Sequence, residues 1–128
     1  MFTADQLLAH AVGDYILQSD WMAREKTRRS VAALAHVGTY ILPFLLLTRS
    51  PLALAAIAAS HFAIDRWRLV RYLVWMKNWM GTNRPWSECA ATGYPPDRPP
   101  WMSVWLLIIA DNIVHLSCNA LALGYLAS

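Results

Sequence analysis

The sequence predicts an all-α integral membrane protein, a four-helix up-down bundle with an amphipathic interfacial extension after its third helix. Of the 128 residues, 57% are hydrophobic and 15% are charged, whereas ordinary globular chains average roughly 45–50% and 25%. The apolar residues are concentrated in runs whose lengths approach the roughly 20 residues that cross a hydrocarbon core about 30 Å thick. The basic residues cluster between these runs. We therefore expect one helical membrane domain over residues 1–128.

The first helix is predicted over 3–23, and it carries a polar stripe. Gln6, His10, Asp14 and Gln18 recur every four residues, which places them on one helical face. Such a helix is too polar to face lipid on every side. We expect the stripe to turn towards the other helices, and a position in the membrane interface is the alternative.

The second and third helices are predicted over 30–48 and 51–80. The first of these is the cleanest spanning candidate, with Ser30 as its N-cap. A tight turn at 49–51 predicts that the next helix packs antiparallel beside it. From Arg66 onwards aromatic and cationic residues alternate, which is typical of the headgroup level. The third helix is therefore expected to leave the bilayer and continue along its surface.

A loop is predicted over 81–100, because glycines and prolines recur throughout it. We interpret it as a connector, with a functional lid as the alternative. The fourth helix is predicted over 101–126, and its apolar run is interrupted by Asp111, Asn112 and His115.

The distribution of basic residues predicts the orientation in the membrane. Ten of the eleven Lys and Arg residues lie in the connector after the first helix or between Arg66 and Arg98. By the positive-inside tendency these connections are cytoplasmic and both termini lie outside. We therefore expect a multi-pass protein of the inner (cytoplasmic) membrane.

Histidine and aspartate recur together in three of the four helices. Residues four apart stand on one helical face, with Cβ atoms roughly 5–6 Å apart. With the predicted orientation, the carboxylates lie at one level and the imidazoles about one turn further from the cytoplasm. His36 approaches the same layer from the second helix. The pairs are His10 with Asp14, His61 with Asp65 and, in reversed order, Asp111 with His115.

These side chains are the donors that divalent metals use, since neutral imidazole and carboxylate oxygen suit zinc and manganese. Seven ligands exceed the need of one tetrahedral ion and suit two ions about 3.5–4 Å apart. A carboxylate that is not a ligand would orient an imidazole or act as a general base, so Asp14, Asp65 and Asp111 are the candidate catalytic residues. Gln6, Gln18, Tyr40 and Asn112 are candidate donors behind the ligands. The predicted ligands are His10, Asp14, His36, His61, Asp65, Asp111 and His115.

The predicted chemistry is metal-dependent hydrolysis at the cytoplasmic face, acting on a lipid-linked or amphiphilic phosphate or ester. Arg66, Arg68 and Arg71 follow Asp65 closely and would hold a phosphate at the headgroup level. Anchoring of the topology is the alternative role for these cations. The expected partner is the lipid bilayer; homo-oligomers are compatible with the sequence, and nucleic acid is not expected.

Two alternatives to a hydrolase stay open. In the first, the protein is a non-enzymatic membrane module that binds a partner, and the pairs are either buried hydrogen bonds that join helices or a structural metal site. In the second, ions or protons pass along the polar stripe, although no inverted repeat is evident. Cys89 and Cys118 form no motif.

The N-terminal segment from His10 to Lys26 contains the string His-x-x-Gly-Asp-x-x-Leu-Gln. Together with His36 and His61-x-x-x-Asp65, it resembles a family of small bacterial and phage membrane proteins catalogued as a domain of unknown function. This resemblance covers the chain apart from the 81–100 loop and implies a membrane location without an activity. More loosely, the His and Asp pairs are similar to those of membrane-bound metal-dependent hydrolases, which implies metal-assisted hydrolysis.

Overall fold

The computed structural model describes residues 2–127, which contain helices and no strand. The all-α prediction is therefore confirmed. The chain forms two compact units: unit 2 is Arg68–Val114, and unit 1 is the remainder. The predicted single domain stays a prediction, and its ends, residues 1 and 128, lie outside the described residues. The helices are α1 (Ala4–Ala11), α2 (Asp20–Glu25), α3 (Ser30–Phe44), α4 (Pro51–Trp67), α5 (Val70–Thr82), α6 (Trp86–Cys89) and α7 (Leu107–Leu126).

The first predicted helix is not continuous. Helix α1 is capped by Thr3, whose Oγ1 accepts from the backbone N–H of Gln6. It continues as a π-helical turn over Val12–Ile16, which is closed by the N–H of Leu17 donating to the carbonyl of Val12 at 2.9 Å. Ser19 is extended and caps α2, so the prediction of one helix over 3–23 is wrong. A serine in a capping position starts a new helix, and hydropathy does not detect it.

Helices α3 and α4 pack against each other in unit 1. The connection between them is short: Thr48 Oγ1 accepts from the N–H of Ser50, and Ser50 Oγ accepts from the N–H of Ala53. Helix α3 ends at Phe44, one residue after Pro43, rather than at residue 48. The apolar part of the core includes one cluster formed by Ala9, Tyr40, Phe44, Ile57 and Ala122.

The interior of unit 1 also contains an unusual number of polar side chains. Its outer face carries large apolar side chains, including Ile16, Val31 and Leu46 with exposed fractions of 74%, 71% and 86%. Several buried ionisable groups within one unit are uncommon in water-soluble domains. The buried polar residues in unit 1 are Gln6, His10, Asp14, His36, Thr48, His61, Asp65, His115 and Asn119.

The third predicted helix is also interrupted. Helix α4 ends at Trp67, and Arg68 has a φ of 51° before α5 begins at Val70. A non-glycine residue in this left-handed region cannot continue an α-helix. The prediction of one helix over 51–80 is therefore wrong.

Within unit 2, the segment after α5 is held by arginine side chains. Arg68 donates to the carbonyl of Ala91, and Arg71 donates to the carbonyl of Ala90. Gly93 has a φ of 85° and lies so close to the carbonyl of Arg71 that a Cβ there would collide with it. The predicted loop over 81–100 thus contains one short helix, α6, and packs on α5.

One helical segment in residues 2–127, Trp101–Leu126, is long and apolar enough to cross a membrane, with 26 residues and a mean hydropathy of 1.7 over an 18-residue stretch. Its first turns are π-helical over Trp101–Leu106. Helix α3 is apolar but has 15 residues, which cover about 22 Å at 1.5 Å per residue, less than the hydrocarbon core. Four spans and an interfacial α5 therefore stay predictions.

Candidate metal centre

The π-helical turn after α1 brings Asp14 towards α3. Gly13 lies against the ring of Tyr40 on α3, and a Cβ at this position would be 2.5 Å from Tyr40 Cδ2. Any side chain at residue 13 would push the turn and the ring apart. The glycine therefore allows the close approach on which the position of Asp14 depends.

Four buried donor atoms lie together at the centre of unit 1. His36 Nε2 is 2.9 Å from His61 Nε2, 3.1 Å from Asp14 Oδ1 and 3.3 Å from Asp65 Oδ2. His61 Nε2 is 3.3 Å from Asp14 Oδ1 and 3.1 Å from Asp65 Oδ2. We call these four residues the ligand tetrad.

The spacing of the tetrad matches the ligand shell of one metal ion. Donors bound at about 2.0–2.1 Å to a tetrahedral ion are about 3.3 Å apart, and adjacent donors of an octahedral ion are about 3.0 Å apart. Five separations in the tetrad fall between 2.9 and 3.3 Å. The atoms therefore lie within ion-binding distance of one another along these five separations.

The donor chemistry of the tetrad also fits a cation. The two facing Nε2 atoms of His36 and His61 can share at most one proton between them. Both Nδ1 atoms are buried without a hydrogen-bond partner, so no contact on that side fixes either tautomer. Lone pairs of two imidazoles and two carboxylates are thus concentrated in a buried space, and a positive charge there stabilises them.

Lys26 supplies one such charge. Its Nζ lies 2.7 Å from Asp65 Oδ2 and 3.4 Å from His36 Nε2. In the sequence this residue belongs only to the basic connector, and we did not predict it as a member of the site. The one available signal was weak: Lys26 is the single lysine among the arginines Arg24, Arg28 and Arg29.

His10 is oriented by a chain of hydrogen bonds. Asn119 Nδ2 donates to the hydroxyl of Tyr40 at 2.7 Å, and that hydroxyl lies 2.8 Å from His10 Nδ1. The arrangement in which the hydroxyl accepts from Asn119 and donates to His10 Nδ1 satisfies both contacts. In this tautomer His10 Nε2 carries the ring proton and faces Asp14 Oδ2 at 3.6 Å. Tyr40 was a predicted supporting donor, whereas Asn119, one amide in an apolar helix, was missed.

His115 extends the cluster on the other side. Its Nε2 lies 3.3 Å from Asp65 Oδ1. The site therefore contains two buried groups whose ligand atoms lie within 4.8 Å of one another: Asp14 with His36 and His61, and His61 with Asp65 and His115. Both groups use His61.

The structure brings six of the seven predicted ligands together in unit 1. Asp111 belongs to unit 2, and its predicted role in the site stays a prediction. Arg66 donates to the carbonyl of Thr27 and to Ser30 Oγ. The predicted phosphate-binding roles of Arg66, Arg68 and Arg71 stay predictions.

The cysteines do not have the properties of activated nucleophiles. Cys89 and Cys118 are free thiols. Burial raises the pKa of the Cys89 thiol above its usual value, which favours the unreactive protonated form.

A family model described as "Protein of unknown function (DUF3307)" matches residues 2–126. The chain belongs to this family. No curated protein matches the chain, and no solved structure matches it.

Proposed function

We propose that this member of the DUF3307 family is a metal-dependent hydrolase of the inner membrane. It binds a divalent ion in the ligand tetrad and acts on a lipid-linked or amphiphilic phosphate or ester at the cytoplasmic face. The observation that carries this proposal is the set of four buried nitrogen and oxygen donors whose five measured separations match those of a metal shell.

The donor set indicates which ion to expect. Two imidazoles and two carboxylates suit zinc or manganese. We expect one ion per chain, because His61 offers a single Nε2 to both buried groups. When bound, such an ion polarises a phosphoryl or carbonyl oxygen and brings the pKa of a bound water near neutrality.

The surrounding residues have distinct roles in this proposal. Asp14 is the most accessible member of the tetrad, with a side chain that is 11% exposed, so the substrate approaches from its side. His10 donates towards the second oxygen of Asp14 and holds the carboxylate in place. His115 does the same for Asp65.

The distribution of polar and apolar side chains in unit 1 supports a membrane location. Apolar side chains of α3 and its neighbours face outwards, while the interior contains the four histidines together with Asp14 and Asp65. Lipid favours this arrangement, because ionisable groups inside a bilayer face the bundle interior. Helix α3 is shorter than the hydrocarbon core, and local thinning of the bilayer accommodates such a helix.

Elemental analysis of the purified protein tests the metal proposal. We expect about one zinc or manganese per chain after expression in metal-replete medium. Asp14→Asn and Asp65→Asn should lower this content, whereas Asp20→Asn, an exposed residue at the start of α2, should not. Less than about 0.2 metal per chain, with no change in thermal stability on adding zinc or manganese, would contradict the proposal.

A structural metal site is the second candidate, because the four imidazoles are at most 1% exposed. Closed coordination of this kind contributes folding energy and leaves no position for substrate. The effect of Asp14→Asn distinguishes the two functions. If the protein is a hydrolase, the variant loses turnover of a phosphate ester in mixed micelles while staying folded. A structural site loses thermal stability first.

A further inference from the structure

Lys26 is held in place by its backbone and by the connector that follows it. Its N–H donates to the carbonyl of Met22 at 2.9 Å, at the end of α2. The next residue, Thr27, accepts a hydrogen bond from Arg66 at 2.9 Å. The ammonium therefore reaches the tetrad from a fixed backbone position rather than from a free loop.

The ammonium changes the charge of the centre. Two carboxylates of the tetrad balance one divalent ion, so Lys26 leaves the loaded centre with one net positive charge. Asp65 Oδ2 lies 2.7 Å from Lys26 Nζ, and the same oxygen belongs to the proposed ligand shell. Two cations that share one carboxylate oxygen repel each other, and an anion bound between them removes this repulsion.

Lys26 is also the most accessible charged group of the cluster. Its side chain is 17% exposed, against 11% for Asp14 and 5% for Asp65. The two most accessible charged groups of the centre are therefore an ammonium and a carboxylate that is expected to bind the ion. An ammonium has three N–H donors and no acceptor, which suits a phosphate oxygen.

We propose that Lys26 and the metal ion together form a phosphate subsite, so that the substrate is a phosphate ester rather than an uncharged ester. This inference rests on the proposed metal-dependent function. It names a residue that spacing and charge clusters did not identify, and it restricts the substrate class.

Calorimetric titration of inorganic phosphate into the manganese-loaded protein in detergent tests the inference. We expect Lys26→Gln to weaken phosphate binding by about tenfold or more, as for loss of a charge-assisted hydrogen bond. The same variant should bind manganese as tightly as the wild type or more tightly, since a competing cation is gone. Arg28→Gln removes an equal charge from an exposed connector residue and should change neither affinity.

A second measurement uses the wild-type chain and does not depend on how the variant folds. The chain has two lysines, and Lys77 is exposed on α5 in unit 2. Phosphate should slow acylation of Lys26 in the manganese-loaded protein, as read by mass spectrometry, and leave acylation of Lys77 unchanged. Equal rates at Lys26 with and without phosphate would overturn the inference.

The outcomes separate this inference from the proposed function. Manganese binding without phosphate binding would overturn the phosphate subsite and leave metal-dependent ester hydrolysis standing. Absence of manganese and zinc binding would overturn both. A final comparison distinguishes a lipid phosphate from a soluble one. Phosphatidate in nanodiscs and soluble glycerol phosphate should each slow the acylation of Lys26. The compound that does so at the lower half-maximal concentration resembles the substrate more closely.

Discussion

The two units differ in what several of their polar side chains contact. In unit 2, Arg68 and Arg71 donate to backbone carbonyls, and Trp75 Nε1 donates to the carbonyl of Arg84. In unit 1 the carboxylates and imidazoles of the tetrad contact one another and the Lys26 ammonium. Side chains that bind backbone hold a loop in place, whereas carboxylates and imidazoles buried together are stabilised by a cation. In the proposed function, the polar contacts of unit 2 are therefore scaffolding and the chemistry belongs to unit 1.

Asp65→Asn is expected to have the largest effect among the variants that test this difference between the units. The change replaces a charged carboxylate of the tetrad with a neutral amide and leaves the partly buried Lys26 ammonium without its counter-charge. We expect manganese or zinc affinity to fall by at least about 100-fold and the free energy of unfolding to fall by about 3–5 kcal/mol. Metal titration and denaturant unfolding in detergent measure these changes.

Asp97→Asn in unit 2 is the matched control for Asp65→Asn. Asp97 is exposed and pairs with Arg98 at 3.3 Å, and such surface pairs contribute about 0–1 kcal/mol. If Asp97→Asn lowered metal affinity as much as Asp65→Asn, the division of roles between the units would be wrong.

Gly13→Ala is expected to have the next largest effect. The added Cβ would be 2.5 Å from the Tyr40 ring, and overpacking of this kind costs about 1–3 kcal/mol. We expect lower thermal stability together with weaker metal binding, because Asp14 follows directly.

Two other glycines calibrate the Gly13 result. Gly38 on α3 has open space where a Cβ would be, so Gly38→Ala should be neutral or stabilise by up to about 1 kcal/mol. Gly93→Ala should loosen the loop of unit 2 and leave metal affinity unchanged. Loss of metal from Gly93→Ala would contradict the proposed difference between the roles of the two units.

Tyr40→Phe is expected to have a smaller effect that is confined to the metal centre. It removes the hydroxyl between Asn119 and His10, so His10 Nε2 is no longer fixed as the donor towards Asp14. We expect metal affinity to fall about tenfold, as for loss of an orienting hydrogen bond. Tyr125→Phe, at a tyrosine that is 78% exposed, should leave the metal affinity unchanged. Metal titration of both variants measures this.

Arg68→Gln in unit 2 is expected to have the smallest effect. It removes one hydrogen bond to the carbonyl of Ala91, which contributes about 0.5–1.5 kcal/mol. Limited proteolysis of the segment after α5 should become faster, while metal content stays at the wild-type value. A reduced metal content would show that this arginine supports the centre.

The sequence was sufficient to predict the helical class and six of the side chains that the structure brings together in the buried cluster. A spacing of four places His10 with Asp14, and His61 with Asp65, on one helical face whatever the surrounding fold. His36 was placed in the same layer because it lies near the start of the predicted second helix. Helix breaks were not predictable from hydropathy, because Ser19 acts through a capping hydrogen bond and Arg68 through a left-handed backbone conformation.

The two missed site residues were missed for different reasons. Lys26 reaches the tetrad through a long flexible side chain from a connector, and the reach of such a side chain depends on where the connector lies in space. It becomes visible only when distant segments are brought together, since Lys26 and Asp65 are 39 positions apart in the chain. Asn119 follows His115 by four residues on α7, so the four-residue spacing that places them on one helical face was a signal for it.

The π-helical turn at Val12–Ile16 has a consequence for which changes in chain length the protein tolerates. A π-helical turn holds one residue more than an α-helical turn, so deleting one residue within it would restore an α-helix. Each residue of an α-helix turns the chain by about 100°, and the deletion would rotate Asp14 relative to His10. Substitutions at Val12 or Tyr15 keep the count and the geometry. Apart from Gly13 and Asp14, the segment between His10 and Gln18 should therefore accept changes of side chain much more readily than insertions or deletions.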